Sequence, residues 1–294
     1  MTLYSLRLAM RYDFDRPTGA GRQLFRVLPA NVGGFQTVRM SQVSLVPSVG
    51  ENREFSDFFG TRVIEAAIPP GLTSLDLVMT AMVDRVDDDS LLDISTPLAR
   101  LATEVACHKD VGARSPHHFT GPSRKIPASS RIAAFSMDQT SDTVTVRDAV
   151  ESLGLGLHQH MAFDPEATSV DTFPEGAFAI GRGVCQDFAQ IMICGLRSLG
   201  VPAAYVAGYL RTEAPLGQQR LTGADAMHAW VRAWAGAEMG WVDYDPTNAC
   251  FVRNDHIDVG FGRDYDDVAP VTGWLRLDGR QSGSHSVDIE QIAA

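Results

Sequence analysis

The run from about Val184 to Leu199 constrains this chain most. Apolar residues fall on nearly all sides of the helix it would form (Val184, Phe188, Ile191, Met192, Ile193, Leu196, Leu199). A helix without a polar face must be covered all round, so this one belongs at the centre of a core. Gly200-Val201-Pro202 ends it, and three strand-like segments follow at 203–211, 226–234 and 241–245. The last two flank Ala235–Gly240 and read as a hairpin. A buried helix followed by paired strands predicts an α+β core.

The first 86 residues read differently. Leu6, Leu8, Met10, Tyr12 and Phe14 alternate with Arg7, Ala9, Arg11 and Asp13, the period of a strand with one buried face. Further apolar segments at 43–46, 62–68 and 75–86 are separated by Gly, Pro, Asn and Ser. An N-terminal antiparallel β domain over 1–90 is expected, with the acidic run Asp87-Asp88-Asp89-Ser90 as its boundary and a core with a C-terminal extension over 91–294. Thr96-Pro97 predicts a cap with proline at the first helical position, ahead of a face carrying Leu98, Leu101, Ala102 and Val105. Thr145 and Asp148 predict a capping-box-like start for a helix bearing Val146, Val150, Leu153 and Leu157. The polar stretch between these helices, with Lys109, Arg114, Arg124, Lys125 and Arg131, reads as a solvated surface loop or a lid.

Composition narrows the function classes. The net charge of −11 and pI of about 5.1 argue against a partner made of nucleic acid or an anionic membrane surface, both of which demand excess Lys and Arg. No apolar stretch approaches the length of a membrane span, and the first residues lack the pattern of a signal peptide, so a cytoplasmic location is expected. Cys107, Cys185, Cys194 and Cys250 form neither a disulfide framework nor a CxxC pair. His108, His117 and His118 near Cys107 fit no standard zinc spacing, so neither a metal nor a cofactor is expected.

One cysteine is placed for chemistry. Cys185 lies in the first turn of the central helix, where unpaired backbone N–H groups and the helix dipole favour an anion, and the anion of a thiol is its nucleophilic form. Cys194 is nine residues on and therefore on the opposite face, in the core. His228 opens a strand whose alternation groups it with Trp230, Arg232 and Trp234. The hairpin brings the stretch 244–247 beside it, with Asp245 in that window as the carboxylate that would orient the imidazole. Asp243 shares a strand face with Asp245, and spacing alone does not choose between them.

These segments resemble a known family. Gly183-Val184-Cys185-Gln186-Asp187-Phe188-Ala189, with Leu199–Ala203 and Tyr205–Leu210 after it, resembles the cysteine motif of the bacterial transglutaminase-like superfamily. His228-Ala229-Trp230-Val231 is similar to its histidine motif, and Gly240–Asn248 to its aspartate motif. The segments Tyr12–Pro17, Asp57–Val63 and Gly262–Val271 echo the family's N-terminal region and C-terminal signature. The resemblance implies a papain-like transglutaminase core with a Cys-His-Asp triad, and its aspartate, the one before Pro-Thr, maps to Asp245. Asp243, where an uncharged residue is more usual, departs from the pattern.

The chemistry so implied is acyl transfer from a peptide or protein amide through a thioester on Cys185. Water as the acceptor makes a cysteine protease or amidase, which is the expected activity. An amine as the acceptor makes a protein-glutamine transglutaminase. A non-catalytic peptide-binding module keeping the fold is the third reading, and it has no need of an intact Cys, His and Asp set.

Overall fold

The computed structural model describes residues 1–86, 92–212 and 225–292. Six strands come first: β1 (Thr2–Phe14), β2 (Gly21–Phe25), β3 (Gln36–Val46), β4 (Glu51–Ser56), β5 (Arg62–Ile68) and β6 (Ser74–Arg85). Helices α1 (Leu98–Cys107), α2 (Ser130–Gln139) and α3 (Val146–His160), strand β7 (Ala162–Phe163), α4 (Pro174–Ile180), β8 (Arg182–Gly183) and α5 (Cys185–Ser198) follow. The chain then runs through β9 (Ala203–Leu210), β10 (Ala226–Trp234), β11 (Trp241–Asp245), β12 (Cys250–Phe251), β13 (His256–Gly262), α6 (Tyr265–Val268), β14 (Val271–Leu275) and β15 (Gln281–Ile292).

Period-two patterning at the start gives a sandwich. Tyr4, Leu6, Leu8, Met10 and Phe14 of β1 are buried while Arg7 and Arg11 face water. One sheet has the order β15-β1-β6-β3 and the other β14-β2-β5-β4. Between them lie Leu6, Leu8, Phe25, Ile68, Leu77 and Met79. The two last strands are the surprise: residues 271–275 and 281–292, assigned from sequence to the second unit, pair with β2 and β1 and so close both sheets of the first. Burial of Val287 and Ile289 in the sandwich core supplies the reason. The acidic run at 87–90 lies outside the described residues.

Helix α5 is enclosed as its all-round apolar pattern requires, with every residue from Gln186 to Arg197 buried. It packs on α2, α3 and α4 and on β9 and β10 of a five-stranded sheet ordered β12-β11-β10-β9-β13. Thr145 caps α3 by accepting the Asp148 N–H at 3.2 Å. Helix α1 begins one residue later than expected: Pro97 stands at its N-cap, and the backbone of Thr96 instead bonds to Ala235 and Val146. On that helix only Leu101 is fully buried, and Ala102 is exposed. No helix among the described residues is long and apolar enough to cross a membrane.

The polar stretch at 109–131 runs over the surface with most of its residues exposed, as expected, but it is pinned at several points. Phe119 is fully buried against Ala204, Val206, Trp230 and Phe261, and Ile126 joins the helical core. The Lys125 ammonium bonds Asp171 at 2.8 Å, and its backbone N–H donates to Asp264 at 2.9 Å. The indole of Trp241 donates to the carbonyl of Arg114. Two apolar anchors in a polar segment are invisible to periodicity, because neither belongs to a repeat.

Gly208 shows how closely the sheet packs near the site. A Cβ there would lie 2.3 Å from the Trp230 ring and 2.3 Å from the Ile257 carbonyl. Gly208→Ala is expected to cost about 1–3 kcal/mol through overpacking, read as a lower urea midpoint. An unchanged midpoint would show that the sheet yields at this point.

Candidate active site

Strand β8 pairs in parallel with β7, Gly183 opposite Phe163, and delivers the chain to α5. Helix α4 ends in the left-handed conformation at Gly181 (φ 69°), which frees the chain to turn. The Asp187 carboxylate then reaches back to accept the N–H of Val184 at 2.8 Å and the hydroxyl of Thr168 at 2.6 Å. Burial nonetheless raises the Asp187 pKa above the ordinary carboxylate value. Cys185 is thereby fixed as the first helical residue, half-buried, with a backbone N–H that has no acceptor within the helix.

The structure brings the three site residues together. His228, 9% exposed, donates from ring Nε2 to Asp245 Oδ2 at 2.7 Å, which leaves Nδ1 for the neighbouring Cys185 side chain. Burial works against a charged imidazole. The hydrogen bond to Asp245, the neighbouring Cys185 side chain and the charge of each outweigh burial and raise His228 to about 10. Asp245 is fully buried, which disfavours its charge, yet hydrogen bonds from His228 and His256 hold it well below the usual carboxylate range. Its Oδ1 accepts the backbone N–H groups of Thr247 (2.9 Å) and Asn248 (3.2 Å), and the Asn248 amide donates to Oδ2 at 2.6 Å.

Asp243 is committed elsewhere. It lies opposite Arg232 in the β10–β11 register and takes that guanidinium at 2.7 and 2.6 Å, with the Trp230 indole N–H at 3.0 Å. Arg232 also bonds Asp258, which in turn meets Arg85 of β6 at 3.3 Å. The ambiguity left by strand alternation is thus resolved by what lies across the strand.

The other thiols are in different settings. Cys194 is buried on the far side of α5, donates to the carbonyl of Pro127 at 3.4 Å, and is pushed up in pKa by burial. Cys250 is pushed up to about 11, by burial and then by Asp245. Cys107 is exposed at the end of α1.

His256 is the site residue that the sequence reading missed. Buried on β13, it donates from Nε2 to the same Asp245 oxygen at 3.1 Å. No local pattern marks it, because the seven residues of β13 are buried throughout and do not alternate. His228, Asp245 and His256 bear ligand atoms within 4.8 Å of one another. Two atoms sharing a tetrahedral zinc with bonds of about 2.0–2.1 Å stand about 3.3 Å apart. The 2.7 Å between His228 and Asp245 is instead a direct hydrogen-bond distance.

Known proteins match along both halves. Residues 133–246, which contain Cys185, His228 and Asp245, match the transglutaminase-like superfamily, and residues 4–84 match the bacterial transglutaminase-like N-terminal region. An uncharacterised protein of Mycobacterium leprae is 29% identical over 284 residues, 96% of each chain. A protein-glutamine gamma-glutamyltransferase of Pseudomonas aeruginosa is 38% identical over 93 residues, 31% of this chain and 14% of that one. The crystal structure of a candidate cysteine protease from Cytophaga hutchinsonii covers 100% of this chain and 91% of its own with a TM-score of 0.78. At 20% identity that likeness speaks for the fold: α+β, with mixed helices and antiparallel sheets and a β-rich N-terminal region. By its sequence matches and its fold, the chain belongs to the transglutaminase-like superfamily, with a bacterial transglutaminase-like N-terminal region ahead of the core.

Proposed function

We propose that the protein is a cysteine-dependent hydrolase of amide bonds, a peptidase or amidase acting on peptides or proteins, with Cys185, His228 and Asp245 as its triad. One observation carries the reading: Cys185, the first residue of α5, acts on His228, whose ring is hydrogen-bonded at 2.7 Å to a fully buried Asp245. In the first half-reaction the Cys185 sulfur bonds to the carbonyl carbon, and the carbonyl oxygen takes the negative charge near the Cys185 N–H. His228 holds the thiol proton at Nδ1 and passes it to the departing nitrogen as the C–N bond breaks. Asp245 keeps the imidazole in the required tautomer throughout. In the second half-reaction water adds to the thioester, gives a proton to His228, and expels the thiol as the free acid forms.

Transamidation is the second reading, favoured by the 38% identity to a gamma-glutamyltransferase over 93 residues. It uses the same thioester with an amine in place of water. Hydrolysis is preferred because Cys185 is half-buried rather than enclosed, so water reaches the thioester. The deciding measurement offers a thioester-forming peptide amide with and without millimolar primary amine. Free acid is expected as the main product in both; predominant amide product would establish transfer instead.

A module without chemistry is separated by thiol labelling. Iodoacetamide at neutral pH is expected to modify Cys185 well ahead of Cys194 and Cys250, whose pKa values burial raises. Equal, slow labelling of all four thiols would favour a binding module.

A further inference from the structure

We propose that His256 is a positioning residue for the Cys185–His228–Asp245 triad, holding Asp245 aimed at His228. The inference rests on the triad reading above and adds a fourth member to it.

The geometry is specific. Asp245 Oδ2 receives three donors: His228 Nε2 at 2.7 Å, the Asn248 amide at 2.6 Å and His256 Nε2 at 3.1 Å. With the two backbone N–H groups on Oδ1, the carboxylate is wrapped by five donors in a site without solvent exposure. An ionised carboxylate persists in such a place only when its lone pairs are met. His256 is the one donor that comes from β13, the far edge of the sheet, rather than from β10 or from the turn after β11.

Three contacts set the ring. The Arg253 backbone N–H donates to Nδ1 at 3.5 Å, which leaves Nε2 to carry the proton toward Asp245. The Trp230 ring meets it edge to face with centroids 5.3 Å apart. Cross-strand pairing with Leu210 fixes the backbone beneath it.

The charged group bonded to the His256 ring is Asp245, with His228 beyond it, and Arg253, whose backbone meets Nδ1, is exposed. On its own strand, Asp258 is taken up by Arg85 and Arg232, and the adjacent Asp255 by Arg211. Asp245 is therefore the carboxylate that its proton serves.

Removing this donor frees Asp245 Oδ2 to turn from His228, and an imidazolium with a weaker carboxylate partner stabilises the Cys185 thiolate less. Asp245 itself stays ionised, because its four other donors remain. The acid side of the labelling profile, which reports that thiolate, must therefore move up. Iodoacetamide labelling of Cys185, followed by peptide mapping from pH 4 to pH 10, reads this without a known substrate.

In His256→Phe, which keeps the aromatic face but has no donor, the acid limb is expected about one pH unit higher, a tenfold change. His256→Gln, whose amide nitrogen falls where Nε2 was, should restore the original limb. His256→Asn reaches only the Nδ1 position and should behave like the phenylalanine variant, which serves if that one does not fold. A merely structural histidine would lower the unfolding midpoint of all three and leave the limb in place, and that result overturns the proposal. If Cys185 of the unmodified protein shows no enhanced labelling at any pH, the triad reading itself fails, and the role of His256 falls with it.

Discussion

Cys185→Ala is expected to lower amide turnover by at least about four orders of magnitude while the protein remains folded. In the proposed reaction the Cys185 sulfur is the atom that bonds to the carbonyl carbon. Of the other thiols, Cys194 faces the core from the far side of α5, and burial pushes the Cys250 thiol up to about 11. The substitution removes one half-buried sulfur at a helix start, so little packing is lost. Cys194→Ala is the control: it deletes a buried sulfur and should cost about 1 kcal/mol of stability with turnover kept. A folded Cys194 variant without activity, beside an active Cys185 variant, would reverse the assignment. Turnover and thermal unfolding measured on the same samples decide it.

Asp245→Asn should lower turnover by about 10⁴, the loss a serine triad suffers on the equivalent change. The local hydrogen bonds explain why the effect should be large. Backbone N–H groups of Thr247 and Asn248 hold the Oδ1 side, so an asparagine there turns its amide nitrogen toward the two histidines. Two donors then face each other unless His228 moves its proton to Nδ1, the atom that accepts from Cys185 in the proposed reaction. Asp243→Asn should differ in kind: it weakens the bidentate pair with Arg232 and costs stability while largely sparing turnover. The comparison requires kcat and the unfolding midpoint for both variants. Full activity in Asp245→Asn with loss in Asp243→Asn would transfer the orienting role to Asp243.

Much of the architecture is legible in the chain because it rests on local period. The all-round apolar α5 and the strands β9, β10 and β11 occupy the expected residues to within one position, and β1 contains the expected alternation at 6–14 but starts four residues earlier, at Thr2. Elements without a period were missed. Helix α4 has seven residues, too few turns to establish a face, and β13 is buried along its whole length, so it shows no alternation. In the exposed polar stretch at 109–131, two isolated apolar anchors, Phe119 and Ile126, decide where the backbone runs, and neither belongs to a repeat.

By itself the sequence determined the cysteine at a helix start, the histidine on a strand, and two carboxylates sharing one strand face opposite it. These depend on residues near one another in the chain, where helix and strand periods apply. Only the tertiary structure decided between the carboxylates, brought in His256, and sent β14 and β15 back to close the N-terminal sheets. Each of those outcomes depends on a partner distant in the chain. Arg232 stands directly across from Asp243 and neutralises it, whereas Asp245, at the end of β11, meets two histidines and no guanidinium. Side-chain period specifies which face a residue occupies, and the charge waiting on that face comes from the packing of strands that the period does not describe.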